Sequence, residues 1–393
     1  MPSVKGGYTA PARSFPGTEV TAIKTVLDAG IVAGAGGGIE KSLIAGAKYH
    51  SQAGYRSVVA LVHPSNDSSF ELLRTRAKRS GVELLDRGEV VPFSLLTLAW
   101  FARICRQHRV SIWHGHDYKT DLVGLLLQPI FKFSLVSTLH GWSERTSRTS
   151  LYFAIDRQVV RRYDQVVAVS SELHQAAQRL GIPDGRLSLI ENGVDTVEYQ
   201  RRGTAVAASG ALHVGAAGRL TPEKGFLVLI DAIEALLDEG LSLRLSIAGE
   251  GPQRADLAQR IQASRYRDRF ALRGYLDDMP AFYESLDVFC LSSLREGLPN
   301  VVLEAMSMSL PIVATTAGGL STFLRNGTDA LCCDPGSVSE LRDALRALAC
   351  SPELRQQLAR ISRARVVAEC SFAGRMARLF AVYDHLATPA AAT

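Results

Sequence analysis

Ser292-Ser-Leu-Arg-Glu-Gly-Leu-Pro-Asn-Val-Val-Leu-Glu-Ala-Met306 follows a short apolar run at 288–291, carries an acid and a glycine in its middle, and becomes helical in pattern from Pro299. A segment of that kind reads as a strand end, a loop and a helix start. Proline at a first helical position, with Asn300 beside it, marks that start, and its free amides and positive dipole end suit an anion such as a diphosphate. Glu296 falls in the loop and Glu304 about one turn into the helix. A carboxylate accepts hydrogens from two hydroxyls at once, so both acids suit a hydroxyl-rich ligand. An acidic first helical turn is common and accounts for Glu304 by itself. It leaves the string Glu296-Gly-Leu-Pro-Asn300 unexplained.

The strand-and-helix rhythm extends both ways from this segment. Beyond residue 210, strands are expected at 212–216, 243–248, 270–273, 288–291 and 312–314, with helices from Gly225, Gln253, Met279 and Pro299. Before it, apolar runs at 25–33, 58–62, 112–115, 135–139, 165–169 and 187–190 alternate with helical patterns opening near Glu40, Phe70, Ser94, Thr120, Leu151 and Glu172. Such alternation implies parallel sheets with helices on both faces. The stretch between the halves, with Asn192-Gly193 and a run of small residues up to Gly210, suits a linker. The expected fold class is therefore α/β, two Rossmann-like doubly wound domains facing across a cleft. A flexible segment would cover 1–24, an N-terminal domain 25–195 and a C-terminal domain 196–371. Open α/β sheets bind ligands at the carboxyl ends of their strands, so both halves should contribute to one site.

Glu296 and Glu304 match a Glu-x7-Glu signature, and from about residue 25 to 386 the chain resembles the retaining glycosyltransferases of family 4, the "group 1" transferases with the GT-B fold, of the kind that builds bacterial cell-surface polysaccharides. Gly218-Arg-Leu-Thr-Pro-Glu-Lys-Gly225 is similar to the family's phosphate-clamping element, Gly249-Glu-Gly-Pro252 to its Gly-x-Gly-Pro turn, and Ala317-Gly-Gly-Leu320 to its Gly-Gly turn. The resemblance implies a nucleotide-diphosphate-sugar donor, a glycan or lipid-linked acceptor and no cofactor. It implies that Glu296, His140, Arg219 and Lys224 are catalytic. Donor contacts would come from Gly37, Gly38, Gly218, Gly251, Tyr275, Gly297, Leu298, Pro299, Asn300 and Glu304 besides, with Tyr275 at the nucleobase and Glu304 at the ribose. Gly38 and His116 would meet the acceptor. A C-terminal helix over 372–386 would cross back onto the N-terminal domain. Bland readings stand beside several of these: cations on surface loops are commonly just solvated, and glycine pairs serve any tight turn.

The loop Gly34-Ala-Gly-Gly-Gly-Ile-Glu-Lys-Ser42 has a Lys-Ser pair after glycines but Glu40 where a P-loop needs glycine, so an NTPase is a poor fit. It also has Ile39 where a dinucleotide-binding turn needs its third glycine, which disfavours a nicotinamide-dependent oxidoreductase. His114-Gly-His116 and His140 end two expected strands, His114 reading as a core residue. A sugar phosphorylase, a nucleotide-sugar synthase and a nucleotide-sugar-binding protein of the same fold stay open. In the transferase reading the diphosphate itself takes the acceptor's proton in a front-side substitution, while Arg219, Lys224 and helix amides carry its growing charge. No Asp-x-Asp sequence occurs in the chain, so a metal-independent reaction is expected, with metal ligands none.

At 393 residues, with 47% hydrophobic and 21% charged content, the chain has room for two substantial cores. Its six cysteines lack CxxC pairs and zinc-ligand spacing, and no leader-like segment opens the chain, so a reducing cytoplasm is expected. The most apolar stretch, 122–136, is broken by Gln128, Pro129 and Lys132 and is too short to span a bilayer. Residues 1–192 hold 23 Lys and Arg against 16 Asp and Glu, whereas residues 193–393 hold 21 against 23. Arg74, Arg76, Lys78 and Arg79, with Arg103, Arg106 and Arg109, lie in the basic half near Leu96, Leu98, Trp100 and Phe101. Clusters of this kind suit an anionic membrane face, where a lipid-linked acceptor would be met, or they merely solvate helices. No nucleic-acid-binding motif accompanies them.

Overall fold

The computed structural model describes residues 23–32, 38–67, 70–90, 94–140, 147–203 and 210–387. The first half runs β1 (Lys24–Ile31), α1 (Gly38–Gln52), β2 (Tyr55–Pro64), α2 (Phe70–Arg79), β3 (Leu84–Glu89), α3 (Leu95–His108), β4 (Val110–Gly115), α4 (Tyr118–Phe131), β5 (Ser134–Leu139), α5 (Ser147–Val160), β6 (Gln165–Ala168), α6 (Ser171–Arg179) and β7 (Leu187–Leu189). The second runs β8 (Leu212–Ala217), α7 (Phe226–Asp238), β9 (Leu243–Ala248), α8 (Arg254–Gln262), β10 (Phe270–Gly274), α9 (Met279–Glu284), β11 (Val288–Leu291), α10 (Asn300–Ser307), β12 (Ile312–Thr315), α11 (Leu320–Phe323) and β13 (Leu331–Cys333). Three helices close the chain: α12 (Val338–Cys350), α13 (Pro352–Glu369) and α14 (Phe372–Ala387).

Two sheets result, a seven-stranded one in the order β3-β2-β1-β4-β5-β6-β7 and a six-stranded one in the order β10-β9-β8-β11-β12-β13. The strand pairings are parallel, so the strands are covered on both faces and read as unbroken apolar runs rather than alternating ones. In each sheet the order reverses at one place, between β1 and β4 in the first and between β8 and β11 in the second. A crevice opens at such a reversal, because neighbouring connections leave to opposite faces.

The helices follow their sequence patterns. α7 buries Phe226, Leu229, Ile230, Ile233 and Leu236 against the second sheet, each worth about 1.5–3 kcal/mol when fully removed from water. Pro129 lies in the last turn of α4, where it removes one backbone hydrogen bond close to the helix end, and Lys132 then ends the helix in a left-handed conformation. Pro299 departs from expectation. It is the cap residue, with φ −76° and ψ 134°, and Asn300 is the first residue of the helix. β1 begins at Lys24, one residue before the expected strand, and residues 1–22 lie outside the described residues. β3, α12 and α13 have no counterpart among the expected elements.

The two halves are joined twice. The linker and the return segment run side by side, Val194 donating to Cys370 O (2.9 Å) and Phe372 donating to Val194 O (2.8 Å). A Cβ at Gly193 would stand 3.0 Å from the Phe372 Cα, so glycine lets these two strands of chain touch. α14 then packs Phe372, Met376, Leu379 and Tyr383 against Val26, Ile112, Val136 and Val167 of the first sheet. Arg76 on α2 reaches across to the second half, donating to Asp277 (2.6 Å) and to the Tyr275 hydroxyl (2.6 Å).

Candidate active site

The reversal of the second sheet gathers one set of functional side chains. β8 ends at Ala217 and is followed by Gly218, Arg219 and a tight turn carrying Lys224, while β11 ends at Leu291 and is followed by Ser293 and Glu296. The two loops are stitched together by Leu294 donating to Glu223 O (2.7 Å) and the Ser292 hydroxyl donating to Lys224 O (2.9 Å). Gly225, at φ 62°, sits where a Cβ would lie 2.1 Å from Ser292 O, so this seam requires glycine. Lys224 Nζ forms an ion pair with Glu296 Oε1, and the Ser293 hydroxyl donates to the same oxygen (2.8 Å). Arg219 makes no hydrogen bond or ion pair through its guanidinium among the described residues.

Neighbouring turns bring backbone close to the same place. A Cβ at Gly251 would stand 2.4 Å from Leu220 O, and one at Gly318, at φ 56°, would stand 1.9 Å from Glu296 O. Gly297 has open space around it, and the Leu298 side chain is buried in the core while its carbonyl accepts from Asn192 Nδ2 (3.1 Å). Glu304 is turned inward, accepting from the Tyr283 hydroxyl (2.7 Å). Asn300 and Pro299 stand at the start of α10 beside this loop. Tyr275 lies just past β10, its hydroxyl bound by Arg76.

The first sheet's reversal holds a second cluster. Asp28 of β1 sits in register with His114 of β4, and His114 and His116 project from the end of that strand. Asp28 Oδ1 lies 3.3 Å from both His114 Nδ1 and His116 Nε2. His114 also meets the Tyr383 hydroxyl (2.6 Å) and the Thr138 hydroxyl (2.7 Å), and His116 Nδ1 lies 3.3 Å from His140 Nε2. Asp28, His114, His116 and His140 line a small cavity together with His50, Arg375 and part of α1. Arg375, from α14, is 7% exposed.

Burial tends to raise the Asp28 carboxyl, but hydrogen bonds from His114 and His116 outweigh it and hold the group below the usual carboxylate range. Burial and neighbouring His114 push His116 down to about 4, against the pull of Asp28. His140 falls well below its usual value, first through burial and then through His116 and Arg375. The cluster is thus a carboxylate surrounded by neutral imidazoles. Asp28, His114 and His116 offer ligand atoms within 4.8 Å of one another, the spacing of a metal site. Their nitrogens are engaged with Tyr383, Thr138 and His140, however, and the buried Arg375 opposes a further cation.

Of the expected site residues, Gly37 lies outside the described residues and Gly38 opens α1. Lys224, Arg219, Gly218, Gly251, Glu296 and Gly297 come together on the second sheet, and His116 and His140 on the first. Both ring nitrogens of His116 are engaged within the protein, by Asp28 and by His140. Sequence reasoning did not reach Asp28, Ser293 or Arg375. Asp28 is the lone charge in the apolar run 25–33, which is a usable signal. Arg375 enters only because α14 returns.

Residues 211–351 match the family described as Glycosyl transferases group 1, and residues 36–198 match Glycosyltransferase Family 4. The chain is 28% identical over 214 residues to the 2-deoxystreptamine glucosyltransferase of Streptomyces kanamyceticus, covering 51% of this chain and 55% of that protein. It is 28% identical over 279 residues to the glycogen synthase of Mycobacterium tuberculosis, covering 67% and 66%. The match thus spans between about half and two thirds of these relatives' own lengths. Among solved structures, HepE of Anabaena in complex with UDP superposes with a TM-score of 0.78 at 20% identity, covering 92% of this chain and all of that one. Sucrose-phosphate synthase from Thermosynechococcus elongatus superposes at 0.76 with 18% identity, covering 92% and 99%. The fold is GT-B.

Proposed function

Because the chain belongs to the group 1 glycosyltransferases of family 4, we propose that it moves a sugar, with retention of configuration, from a nucleotide-diphosphate-sugar to a glycan or lipid-linked acceptor in cell-surface polysaccharide assembly. The observation that carries this reading is the meeting of Arg219, Lys224 and Glu296 at the reversal of the second sheet. Two cations there can take the charge that grows on a departing diphosphate, and the amides opening α10 add to them. A diphosphate arriving between Arg219 and Lys224 competes with Glu296 for the lysine and frees that carboxylate for the sugar's hydroxyls. Glu304 accepts from the Tyr283 hydroxyl and is proposed for the ribose, so α10 offers Glu296 no second carboxylate for a double displacement. Front-side substitution fits better, with the leaving diphosphate accepting the acceptor's proton. Arg219 and Lys224 can supply the positive charge that a metal would otherwise bring to the diphosphate, and the reaction is proposed to need none.

Tyr275 is proposed at the nucleobase, Glu304 toward the ribose, Gly37 and Gly38 near the phosphates, His140 at the donor sugar, and the acceptor beside Gly38 and His116. The enzyme would work in the cytoplasm, its six cysteines being free thiols, and its N-terminal half would rest on an anionic membrane face. Among the described residues no helix is long and apolar enough to cross a membrane. A screen of radiolabelled UDP-, GDP- and ADP-sugars in excess EDTA tests the proposal. Slow donor hydrolysis or transfer should appear with one base and persist in the chelator. Orthophosphate-dependent cleavage of a glycan without any nucleotide would move the assignment to a phosphorylase.

A further inference from the structure

His140 ends β5 at the cleft, and how it meets a ligand depends on which ring nitrogen bears the proton. The structure carries an internal answer, because one charge fixes a chain of hydrogen bonds leading to it. Asp28 is 3% exposed, and an anionic carboxylate only accepts. His116 Nε2, 3.3 Å from Asp28 Oδ1, must then carry its proton. A neutral imidazole has one proton, so His116 Nδ1 has a lone pair and accepts. The group facing it at 3.3 Å is His140 Nε2, which must donate. That leaves Nδ1 of a neutral His140 without a proton, and it makes no hydrogen bond among the described residues. His114 does not break the chain: its Nδ1 faces Asp28 and the Tyr383 hydroxyl, and its Nε2 can accept from Thr138. The shifts of the three groups agree, Asp28 being held ionised and His116 and His140 neutral.

We propose that Asp28, acting through His116, holds His140 in the tautomer protonated at Nε2, so that His140 meets the transferred sugar as a hydrogen-bond acceptor and selects a donor with a hydroxyl at that point. Toward His140, Asp28 and His116 act as positioning residues, and this role needs no contact of theirs with the donor sugar. The tautomer follows from the hydrogen-bond geometry once Asp28 is ionised, whereas the selection of a hydroxyl rests on the reading of His140 as a contact of the donor sugar.

Long-range proton–nitrogen spectra of protein labelled with 15N-histidine read the tautomer directly and need no substrate. The His140 signals, identified by their loss in His140→Gln, should show an unprotonated Nδ1 and a protonated Nε2. In Asp28→Asn the amide can donate to His116 Nε2, which reverses the chain and should move the proton of His140 to Nδ1. Should that variant not fold, His116→Phe removes the acceptor for His140 Nε2 and should abolish the preference. A wild-type His140 protonated at Nδ1, or a tautomer that ignores both changes, overturns the proposal. Calorimetry with UDP-glucose and its four monodeoxy-sugar analogues tests the second half. One analogue should bind the wild type roughly tenfold more weakly than UDP-glucose, the scale of one lost hydrogen bond, and no worse than UDP-glucose in His140→Ala. With the tautomer as stated but all analogues binding alike, the positioning chain stands and the contact with the sugar falls.

Discussion

Glu296 and Lys224 are bonded to each other, so removing one changes what the other can do. In Glu296→Gln the amide keeps a contact with Ser293 while Lys224 turns fully to the diphosphate. Turnover should fall by about 10²–10³, the scale of losing one preorganised polar group in a transition state, with UDP affinity unchanged or slightly higher. In Lys224→Ala the phosphate loses a cation and Glu296 is left with Ser293 alone, so both turnover and UDP affinity should drop. Steady-state rates paired with UDP calorimetry separate the two, and equal losses of affinity in both variants would remove Glu296 from the sugar. These residues were legible because the string around Glu296 and the Gly218–Gly225 element are local. Asp28 was not, for its meaning depends on standing opposite His114 in a neighbouring strand, a partnership 86 positions away.

At the level of single elements, the ends of β4 and β5, with Asp28 of β1 and His50 of α1 beside them, concentrate groups whose protonation differs between folded and unfolded chains. His114, His116, His140 and His50 all have folded values below the ordinary 6.5, burial being the leading cause in each. Between 6.5 and about 4 the unfolded chain therefore binds more protons than the folded one, and stability falls as pH falls through that window. Asp28 has its value depressed, so its contribution persists above its unfolded value of 3.8 and is lost only at lower pH. His116 alone accounts for on the order of 3 kcal/mol. A melting temperature lower by roughly 5–10 °C at pH 5 than at pH 7.5 is expected, with a shallower slope in His116→Phe. A flat profile would mean the imidazoles charge without cost in the folded state.

α3 makes a different element-scale case. Leu95 and Leu96 are exposed at its start, and Arg103, Arg106 and Arg109 are exposed along and just beyond it. The second expected basic cluster is less available, since Arg74 pairs with Asp86 and Glu71 and Arg76 with Asp277. Trp100 is half-buried against Phe101 and stays with the core. Anionic lipid attracts about 1 kcal/mol per basic side chain near the surface, so three arginines give weak, salt-sensitive binding. Sedimentation with phosphatidylglycerol vesicles at low salt should carry the protein down, and Arg103→Glu with Arg106→Glu should abolish this. Equal behaviour toward neutral and anionic vesicles would sink the membrane reading. Elements of this kind differ in how far the sequence exposes them. α7 and β8 show strong periodicity, whereas β3 is Leu84-Leu-Asp-Arg-Gly-Glu89, a half-exposed edge strand whose charges hide its pairing with β2.

The molecule as a whole is held at two places of unequal strength. At the back, the linker and return segment are joined by paired backbone hydrogen bonds and by Arg363, which donates to Tyr199 O (2.8 Å) and Thr196 O (3.0 Å). We propose bending near Asn192-Gly193, where the chain enters this joined segment. At the front, Arg76 and Arg79 meet Asp277, which is 56% exposed, so screening by water limits that contact to about 1 kcal/mol or less. A hinge there with a weak front latch would open and close at little cost, and a ligand that touches both halves would set the balance. The same latch holds the Tyr275 hydroxyl, so a nucleobase settling at Tyr275 would act on it directly. Asp277→Asn should therefore enlarge the radius of gyration of the free protein in small-angle scattering, most clearly at low salt, where the wild-type ion pairs are strongest. Saturating UDP should return the variant to the dimensions of the UDP-bound wild type. Identical scattering from wild type and variant, each with and without UDP, would show that the two halves form one rigid body and that closure plays no part in donor binding.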